Sequence, residues 1–262
     1  MTGILGEIVE YKRHYVAECK KKLPLKIIEE LVTNTGRTRG FAKALEGKGC
    51  ALIAEIKTAS PSKGIIRDDV NIGEVARIYE HNGASCISVI TDEKYFKGNL
   101  ERLSMVRNEV TLPLLRKDFI IDVYQIFEAR HAGADAVLLI AACLDNEELR
   151  DFIEAATLLE MDCLVEVHDE MEMKRIATLN TKLVGINNRN LKTFKTELAV
   201  TRSLASCAPQ QALLVSESGI HNAEDVRTVH SMGAGAVLVG EAIMREKDMA
   251  LKVRELSRAV VD

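Results

Sequence analysis

The sequence has no tryptophan, no C-x-x-C pair among its six cysteines and no excess of positive charge. Cysteines scattered in this way fit neither a zinc knuckle nor a disulfide framework, so we expect reduced thiols and a cytoplasmic protein. The formal net charge of −4 provides no basic field that would attract nucleic acid or an anionic membrane surface. Neither is therefore expected as a partner.

Long hydrophobic runs are also missing. Up to Leu23 a charged side chain recurs every few positions, which excludes a signal-peptide apolar region and a membrane-spanning segment there. No linker rich in proline, serine or glycine divides the chain, and its composition does not shift along its length. Because 262 residues, 47% of them hydrophobic, can bury one full core, we expect residues 1–262 to form a single domain.

Short apolar runs recur along the chain, and amphipathic, charge-rich stretches of helical length separate them. Runs this short are typical of buried parallel strands, and strict alternation with helices favours an α/β fold. Eight such strands in a chain of this length predict a closed (β/α)₈ TIM barrel. The predicted strands are Ala51–Lys57, Cys86–Ile90, Leu112–Lys117, Ala136–Ile140, Cys163–Val167, Leu183–Asn187, Leu213–Glu217 and Ala236–Val239.

A doubly wound open sheet has the same alternation, but its dinucleotide-binding form carries G-x-G-x-x-G after the first strand. No such motif follows Lys57. Residues 1–48 lie outside the alternation, and within them Glu7–Lys22 and Leu25–Leu31 have helical patterns. We therefore expect an N-terminal helical extension that packs on the barrel.

Charged side chains stand at the carboxyl ends of several predicted strands, where this fold carries its catalytic residues. The first, third, fifth and seventh strands supply Lys57, Lys117, Glu166 and Glu217, and the sixth ends in Asn187. Because a barrel layer takes its side chains from alternate strands, we expect the four charged residues to share the top layer. Two cations and two carboxylates in one pocket suit proton transfer near neutral pH.

Glu55 has the same parity as Lys57 and should lie one layer deeper. Its neighbours there would be Leu115, Leu164 and Val215. A carboxylate among apolar groups should pair with Lys57 above it and hold that amine charged.

The loops after the last two strands have the character of a phosphate site. Ser216–Ile220 and Val239–Glu241 contain glycines that permit close backbone approach to an anion, and Ser60 and Ser62 after the first strand could add hydroxyls. Glu241 carries the wrong charge for phosphate, so we expect its backbone N–H to be used and its side chain to point away.

The histidines do not have the spacing of metal ligands, and we assign no metal. His168 shares strand parity with Glu166, which leaves two interpretations open, an ordinary loop residue or a proton relay. Cys163 has the opposite parity and should serve packing.

These residues lie in motifs that resemble the indole-3-glycerol-phosphate synthase family over essentially the whole chain. The motifs are residues 53–64 (IAEIKTASPSKG), 91–98 (TDEKYFKG), 114–120 (LLRKDFI), 164–168 (LVEVH), 185–191 (GINNRNL) and 216–220 (SESGI).

The resemblance implies an enzyme of tryptophan biosynthesis, a carboxy-lyase acting on a small phosphorylated substrate. The substrate would be 1-(2-carboxyphenylamino)-1-deoxyribulose 5-phosphate, converted without a cofactor to indole-3-glycerol phosphate, carbon dioxide and water. The family likeness also implies roles for the charged residues. Lys117 matches the general acid of ring closure, Lys57 the lysine that engages substrate, and Glu166 the acid/base of dehydration, while Glu55 and Glu217 match carboxylate neighbours of Lys57.

The family likeness implies binding residues as well. Asn187, included among the catalytic candidates, and Arg189 match polar groups that hold the anthranilate end. The apolar walls around the aromatic ring match Phe96, Phe119, Leu138 and Leu191, and the phosphate site matches Ser60, Ser218, Gly219, Gly240 and Glu241.

Two alternative functions fit the sequence less well. A phosphate-binding aldose-to-ketose isomerase barrel would use an aspartate pair, or cysteine with aspartate, which does not stand at the ends of the first and the fifth or sixth strands. A barrel kept only as a binding scaffold would have lost some of Glu55, Lys57, Lys117 and Glu166, and all four are present. We expect a monomer or a weak homo-oligomer.

Overall fold

The computed structural model describes residues 3–47, 49–191 and 193–260, so residues 1, 2 and 48 of the predicted extension and residues 192, 261 and 262 of the predicted domain lie outside it. Eight parallel strands close into a barrel in which the first strand pairs with the last, as predicted. The strands are β1 Ala51–Ile56, β2 Cys86–Ile90, β3 Leu114–Lys117, β4 Ala136–Ile140, β5 Asp162–Val167, β6 Leu183–Asn187, β7 Leu213–Glu217 and β8 Ala236–Val239.

Helices surround the barrel and form the N-terminal extension. They are α1 Ile4–Lys22, α2 Leu25–Val32, α3 Phe41–Leu45, α4 Ile72–His81, α5 Leu100–Glu109, α6 Tyr124–His131, α7 Asn146–Leu158, α8 Glu170–Ile176, α9 Ala199–Ala205, α10 Ala223–Ser231, α11 Glu241–Met244 and α12 Met249–Ser257. Asn and Asp side chains at several starts accept backbone N–H groups that the helix leaves unpaired, as Asp145 does for α7. None of the described helices is both long and apolar enough to cross a bilayer.

The prediction did not include two local elements. A short antiparallel hairpin, Ala59–Ser60 with Gly64–Ile65, stands in the loop after β1. Helix α3 closes the amino end of the barrel, because Phe41 and Leu45 pack into the interior cluster with Ile53 and Leu115.

Backbone N–H groups dock this part of the extension on carboxylates at the amino ends of strands. The amide of Arg39 donates to Asp135 at 2.7 Å, and the amide of Ala42 donates to Asp162 at 2.8 Å. Asp135 also pairs with Arg107 at 2.8 Å, so its charge is balanced. The extension is thus fixed to the barrel by polar contacts as well as by apolar packing.

Helix α1 reaches the opposite, carboxyl end of the barrel strands through Lys12, whose side chain is 1% exposed. Its Nζ lies 3.0 Å from Asp92 and 2.6 Å from Asp118, the residue directly after Lys117. Asp118 also pairs with the buried Arg116 at 3.2 Å. Although burial opposes both charges, the pairing raises the pKa of Lys12 and lowers the pKa of Asp118.

Lys12→Met should destabilise the protein, because it leaves the buried Asp92 without its cation and Asp118 with Arg116 alone. Removing one partner of a buried ion pair costs about 3–5 kcal/mol. For a chain of this size, that loss corresponds to a fall in Tm of roughly 6–20 °C. Thermal unfolding followed by circular dichroism measures the fall. Lys22→Met, on the exposed end of the same helix, is the matched control and should change Tm by little. Equal melting temperatures for the two variants would refute a stabilising role for the Lys12 pairs.

Candidate active site

Four charged side chains from β1, β3, β5 and β7 meet at one height inside the barrel. Tilted strands place side chains at one height when each strand is offset by one residue from its neighbour. The observed pairings, followed around the barrel, bring Glu55, Lys117, Glu166 and Glu217 to the same height. We call these four residues the charged layer.

The charged layer differs from the predicted one in β1. The prediction that Lys57 shares the layer and that Glu55 lies one layer below is wrong. Strand β1 ends at Ile56, so Lys57 stands above the layer, and strand register rather than the strand end sets the height of Glu55. The predicted neighbours of Glu55 form the apolar layer beneath, together with Ile53; they are Leu115, Leu164 and Val215.

The amine of Lys117 lies between the three carboxylates of the layer. Its Nζ is 3.5 Å from Glu217 Oε2, 3.7 Å from Glu166 Oε2 and 3.9 Å from Glu55 Oε2. Burial alone would lower the pKa of Lys117, but the three carboxylates outweigh it and raise that pKa above its ordinary value. The amine is therefore charged near neutral pH.

Glu166 and Glu217 are both buried but differ in their titration. Burial and the charges on Glu166 and Glu55 outweigh Lys117 and raise the pKa of Glu217 to about 8. Burial also opposes ionisation of Glu166, yet Lys117, His168 and Asn187 hold its pKa below the ordinary range. Glu217 therefore holds a proton more readily than Glu166, and a pair of carboxyl groups with different pKa values suits acid and base chemistry.

Two glycines give the carboxylates their space. A Cβ built at Gly185 of β6 would collide with Oε1 of Glu217, and one built at Gly240 would lie 2.5 Å from Oε1 of Glu55. Real Cβ atoms do not approach other atoms so closely, so either glycine replaced by a larger residue would displace its glutamate. Gly240, predicted for the phosphate site, therefore also shapes the charged layer, and sequence analysis missed Gly185.

Lys57 stands at the mouth of the barrel with its side chain 20% exposed. Its Nζ lies 3.6 Å from Glu55 Oε1, the pairing expected from the sequence, and 6.0 Å from the centre of the Phe96 ring. The amine is thus placed between the charged layer and an aromatic wall.

Asn187 and Arg189 connect β6 to the loop after β1. Asn187 donates from Nδ2 to Glu166 Oε1 at 3.2 Å, and its Oδ1 accepts the backbone N–H of Arg189 at 3.0 Å. Arg189 donates from Nη1 to the hydroxyl of Ser62 at 2.9 Å. These contacts fix Asn187 against the charged layer and hold Arg189 beside the loop after β1.

Two adjoining cavities open above the charged layer. The first, which we call the apolar cavity, has walls of Phe96, Phe119, Leu138 and Leu191, the four predicted aromatic-site residues. The Phe96 and Phe119 ring centres are 6.1 Å apart. Ser60 also lines this cavity, and its buried hydroxyl has no hydrogen-bond partner among the described residues.

The second cavity, which we call the loop cavity, lies beneath the loops after β7 and β8. Gly219, Gly240 and Glu241 line it, whereas Ser60, grouped with them by the sequence analysis, does not. Ser218 and Gly219 have left-handed backbone, with φ of 67° and 83°. The two cavities share Glu55, Lys57, Ser62, Lys117, Arg189, Phe194 and Ser218.

Glu241 is bound within its own helical turn. Its Oε1 lies 3.0 Å from Nε of Arg245 and 4.0 Å from Nζ of Lys63. Although burial opposes ionisation, Arg245 and Lys63 lower the pKa of Glu241. Its negative charge is therefore compensated by cations beside the loop cavity.

Several residues that build the site could not be identified from the sequence. Asn188 is buried and donates to the Ser216 hydroxyl at 2.9 Å and to the Ser218 carbonyl at 3.1 Å, which joins the loops after β6 and β7. The start of α1 covers the apolar cavity with Ile4, Leu5 and Ile8. Helical periodicity predicts such a helix but does not give its distant partner. In the described parts of the chain, no group of three or more His, Cys, Asp or Glu side chains could hold a metal ion.

Comparison with known proteins gives the family. The family model described as indole-3-glycerol phosphate synthase matches residues 5–256. The chain belongs to this family. Relatives of that name include proteins from Polaromonas sp. strain JS666, 45% identical over 98% of both chains, and from Legionella pneumophila strain Paris, 44% identical over 98% of this chain and 99% of the relative. The resemblance inferred from the motifs, and the carboxy-lyase class that it implied, are confirmed.

Solved structures outside the indole-3-glycerol phosphate synthase family share the fold. A 3-hexulose-6-phosphate synthase superimposes with a TM-score of 0.62 and 16% identity over 80% of this chain and 100% of its own. The thiamine phosphate pyrophosphorylase from Pyrococcus furiosus gives 0.60, also at 16% identity, over 80% of this chain and 94% of its own. At such identities the likeness shows the barrel fold alone.

Proposed function

We propose that the charged layer and its two cavities carry out the reaction of the family. In that reaction, 1-(2-carboxyphenylamino)-1-deoxyribulose 5-phosphate closes its ring, loses carbon dioxide and water and becomes indole-3-glycerol phosphate. The observation that carries the assignment is the position of Lys117, a charged amine within 4 Å of three carboxylates where the two cavities meet.

The shapes of the cavities support one orientation of the substrate. The aromatic ring would lie against Phe96 and Phe119, since an apolar wall favours an aromatic group. The phosphate would lie in the loop cavity, where Lys63 supplies positive charge and the glycine-containing loops allow close backbone approach. The ribulose chain would then cross the charged layer.

Ring closure places negative charge on the ribulose carbonyl oxygen when the aromatic carbon attacks. Lys117 would donate its proton there, because an alkoxide is a stronger base than an amine even when the pKa of the amine is raised. Lys57, paired with Glu55, would bind the substrate carboxylate until it leaves as carbon dioxide. Asn187 and Arg189 would hold the anthranilate end.

Dehydration follows, and it needs a base for the proton next to the departing hydroxyl. Glu166 fits that role because it is ionised at neutral pH and lies across the layer from Lys117. The hydroxyl needs a proton to leave as water, and Lys117, protonated again after ring closure and held beside Glu217 at 3.5 Å, would donate it to the same oxygen. Each turnover takes up one proton from solvent, since the substrate carboxylate departs as neutral carbon dioxide.

The isomerase alternative would require free aspartates as acid and base. Asp92 and Asp118 reach the wall of the apolar cavity, but both are ion-paired to Lys12. This pairing favours the synthase reaction.

Purified protein given the carboxyphenylamino-deoxyribulose phosphate, with a chelator and no added cofactor, should produce indole fluorescence. Because the chain has no tryptophan, the signal should rise from a low background. Lys117→Met is the matched negative control. No indole from the wild-type protein, or indole only after a metal is added, would contradict the proposal.

We further propose a cytoplasmic monomer or weak homo-oligomer that acts on a small phosphorylated substrate. The net charge of −4 supports a partner other than nucleic acid or an anionic membrane. Light scattering over a range of protein concentrations tests the oligomeric state.

A further inference from the structure

His168 lies between two carboxylates beside the charged layer. It follows β5, two residues after Glu166, and its side chain is 12% exposed. Nε2 lies 3.1 Å from Glu166 Oε1, and Nδ1 lies 3.2 Å from Glu172 Oε2. The backbone N–H of His168 donates to the same Glu172 oxygen at 2.8 Å. Glu172 therefore fixes both the ring and the backbone of the histidine.

We propose that His168, held by Glu172, is a positioning residue that keeps Glu166 ionised and directs its second oxygen to the substrate as the base of dehydration. The inference rests on the proposed function, because it assigns the environment of one of its catalytic groups. It differs from both interpretations that the sequence left open for this histidine, because a ring that lies between two carboxylates is not an ordinary loop residue and a positioning residue is not a proton relay.

The two oxygens of Glu166 have different partners. Oε1 accepts a hydrogen bond from Asn187 at 3.2 Å and lies 3.1 Å from Nε2 of His168, which is close enough for an ion pair but not aligned for a hydrogen bond. Oε2 faces Lys117 at 3.7 Å and the interior of the barrel. With Oε1 held on one side, Oε2 is the oxygen available to take a proton from a substrate above the layer.

The comparison with Glu217 shows the effect of the partners of Glu166, His168 and Asn187, together. Both glutamates belong to the same layer, both are buried and both lie within 4 Å of the Lys117 amine. Within the described structure, Glu217 has no histidine or asparagine partner, and its Oε1 makes no hydrogen bond. Its pKa is raised, whereas that of Glu166 is lowered. The partners on the His168 side therefore lower the pKa of Glu166 relative to that of Glu217.

The other groups that face His168 support a charged ring. Burial opposes the imidazolium, but Glu166 and Glu172 outweigh it and raise the pKa of His168 to about 10. Cys143, from the turn after β4, faces the same glutamates, and burial together with their charges raises the pKa of its thiol, so it stays neutral. Asp169 caps α8 by accepting the backbone N–H of Glu172. Lys117 approaches from β3 on the far side of Glu166.

The test is the pH dependence of kcat in His168→Gln. Glutamine can still donate to Glu166 but has no charge, so the pKa of Glu166 should rise and its base form should be lost at acid pH. We expect the acidic limb of the kcat profile to move up by about one pH unit or more, which is about tenfold in kcat at pH values below both limbs. Activity should recover at pH values well above the raised pKa of Glu166. KM should stay within about twofold of the wild-type value at each pH, because the substitution should not change how tightly the substrate binds.

Two variants complete the design. Glu172→Gln keeps a hydrogen-bonding group beside the ring but removes the charge, so it should shift the same limb in the same direction by less; it carries the test if His168→Gln does not fold. His131→Gln, at the exposed end of α6, is the matched control and should leave the profile unchanged.

An unshifted limb, or an equal loss of kcat at all pH values, would overturn the positioning role. The proposed function fails separately, if the wild-type protein makes no indole. If the wild type is active and Glu166→Gln is not, while His168→Gln has the wild-type profile, this inference alone is wrong.

Discussion

Lys117→Arg should bind substrate and turn it over poorly, with kcat reduced by roughly 10²–10⁴, the usual range for loss of a positioned acid or base. Arginine keeps a positive charge among Glu55, Glu166 and Glu217, so the charged layer should survive. A guanidinium group remains protonated at all working pH values and cannot deliver its proton to the developing alkoxide. The variant thus separates proton donation from charge.

Lys117→Met provides the comparison because it removes both functions. Three buried carboxylates without their amine should take up protons or destabilise the fold, so its thermal unfolding should be measured alongside kcat. The decisive measurements are kcat for the two variants and Kd for a product-like ligand. An arginine variant within a few-fold of wild type would reject Lys117 as the acid and move that role to Lys57.

Glu166→Gln should stop the reaction after carbon dioxide has left, with kcat lowered by roughly 10²–10⁴. The amide preserves the shape of the side chain and its contact with Asn187, but it cannot accept the proton removed during dehydration. Ring closure and decarboxylation depend on Lys117 and should continue. A single turnover should therefore release carbon dioxide quickly and form indole slowly.

A rapid-mixing experiment that follows carbon dioxide and indole fluorescence together measures this delay. Glu170→Gln, on the exposed start of α8, controls for the change from carboxylate to amide. Equal loss of both signals would place Glu166 in the first half of the reaction. A near wild-type kcat would remove it from the acid and base chemistry altogether.

The sequence predicted the barrel because its signals are local. Short apolar runs define strands, and their strict alternation with helices determines the topology, so β2, β4, β6, β7 and β8 begin and end where predicted. Polar groups at the carboxyl ends indicated the catalytic face for the same reason.

Residue heights within the barrel could not be predicted in the same way. Counting back from strand ends placed Lys57 beside Lys117, whereas the tilt and register of all eight strands place Glu55 there. Register depends on how distant strands pair, and no local pattern encodes it. The space that Gly185 leaves for Glu217 is equally non-local, because the glycine reads as an ordinary strand residue until its neighbour is known.

The burial of Lys12 could not be predicted from the sequence either. On α1 it is one of several lysines, and nothing in its immediate sequence distinguishes it from Lys22 on the exposed end. Its burial follows from two aspartates in later strand-to-helix loops. A charge buried by distant counter-charges has no sequence signature of its own.

The pairing of Lys12 also orders events during synthesis. Helix α1 leaves the ribosome long before Asp92 and Asp118, so its lysine has no counter-charge until Asp92 emerges after the second strand and lacks the other until Asp118 follows the third. The barrel itself closes later still, when Ala236 of β8 pairs with Ala51 of β1. The first helix to be made must therefore wait for two later strands, and the nascent chain must keep an uncompensated cation in water until they have been translated.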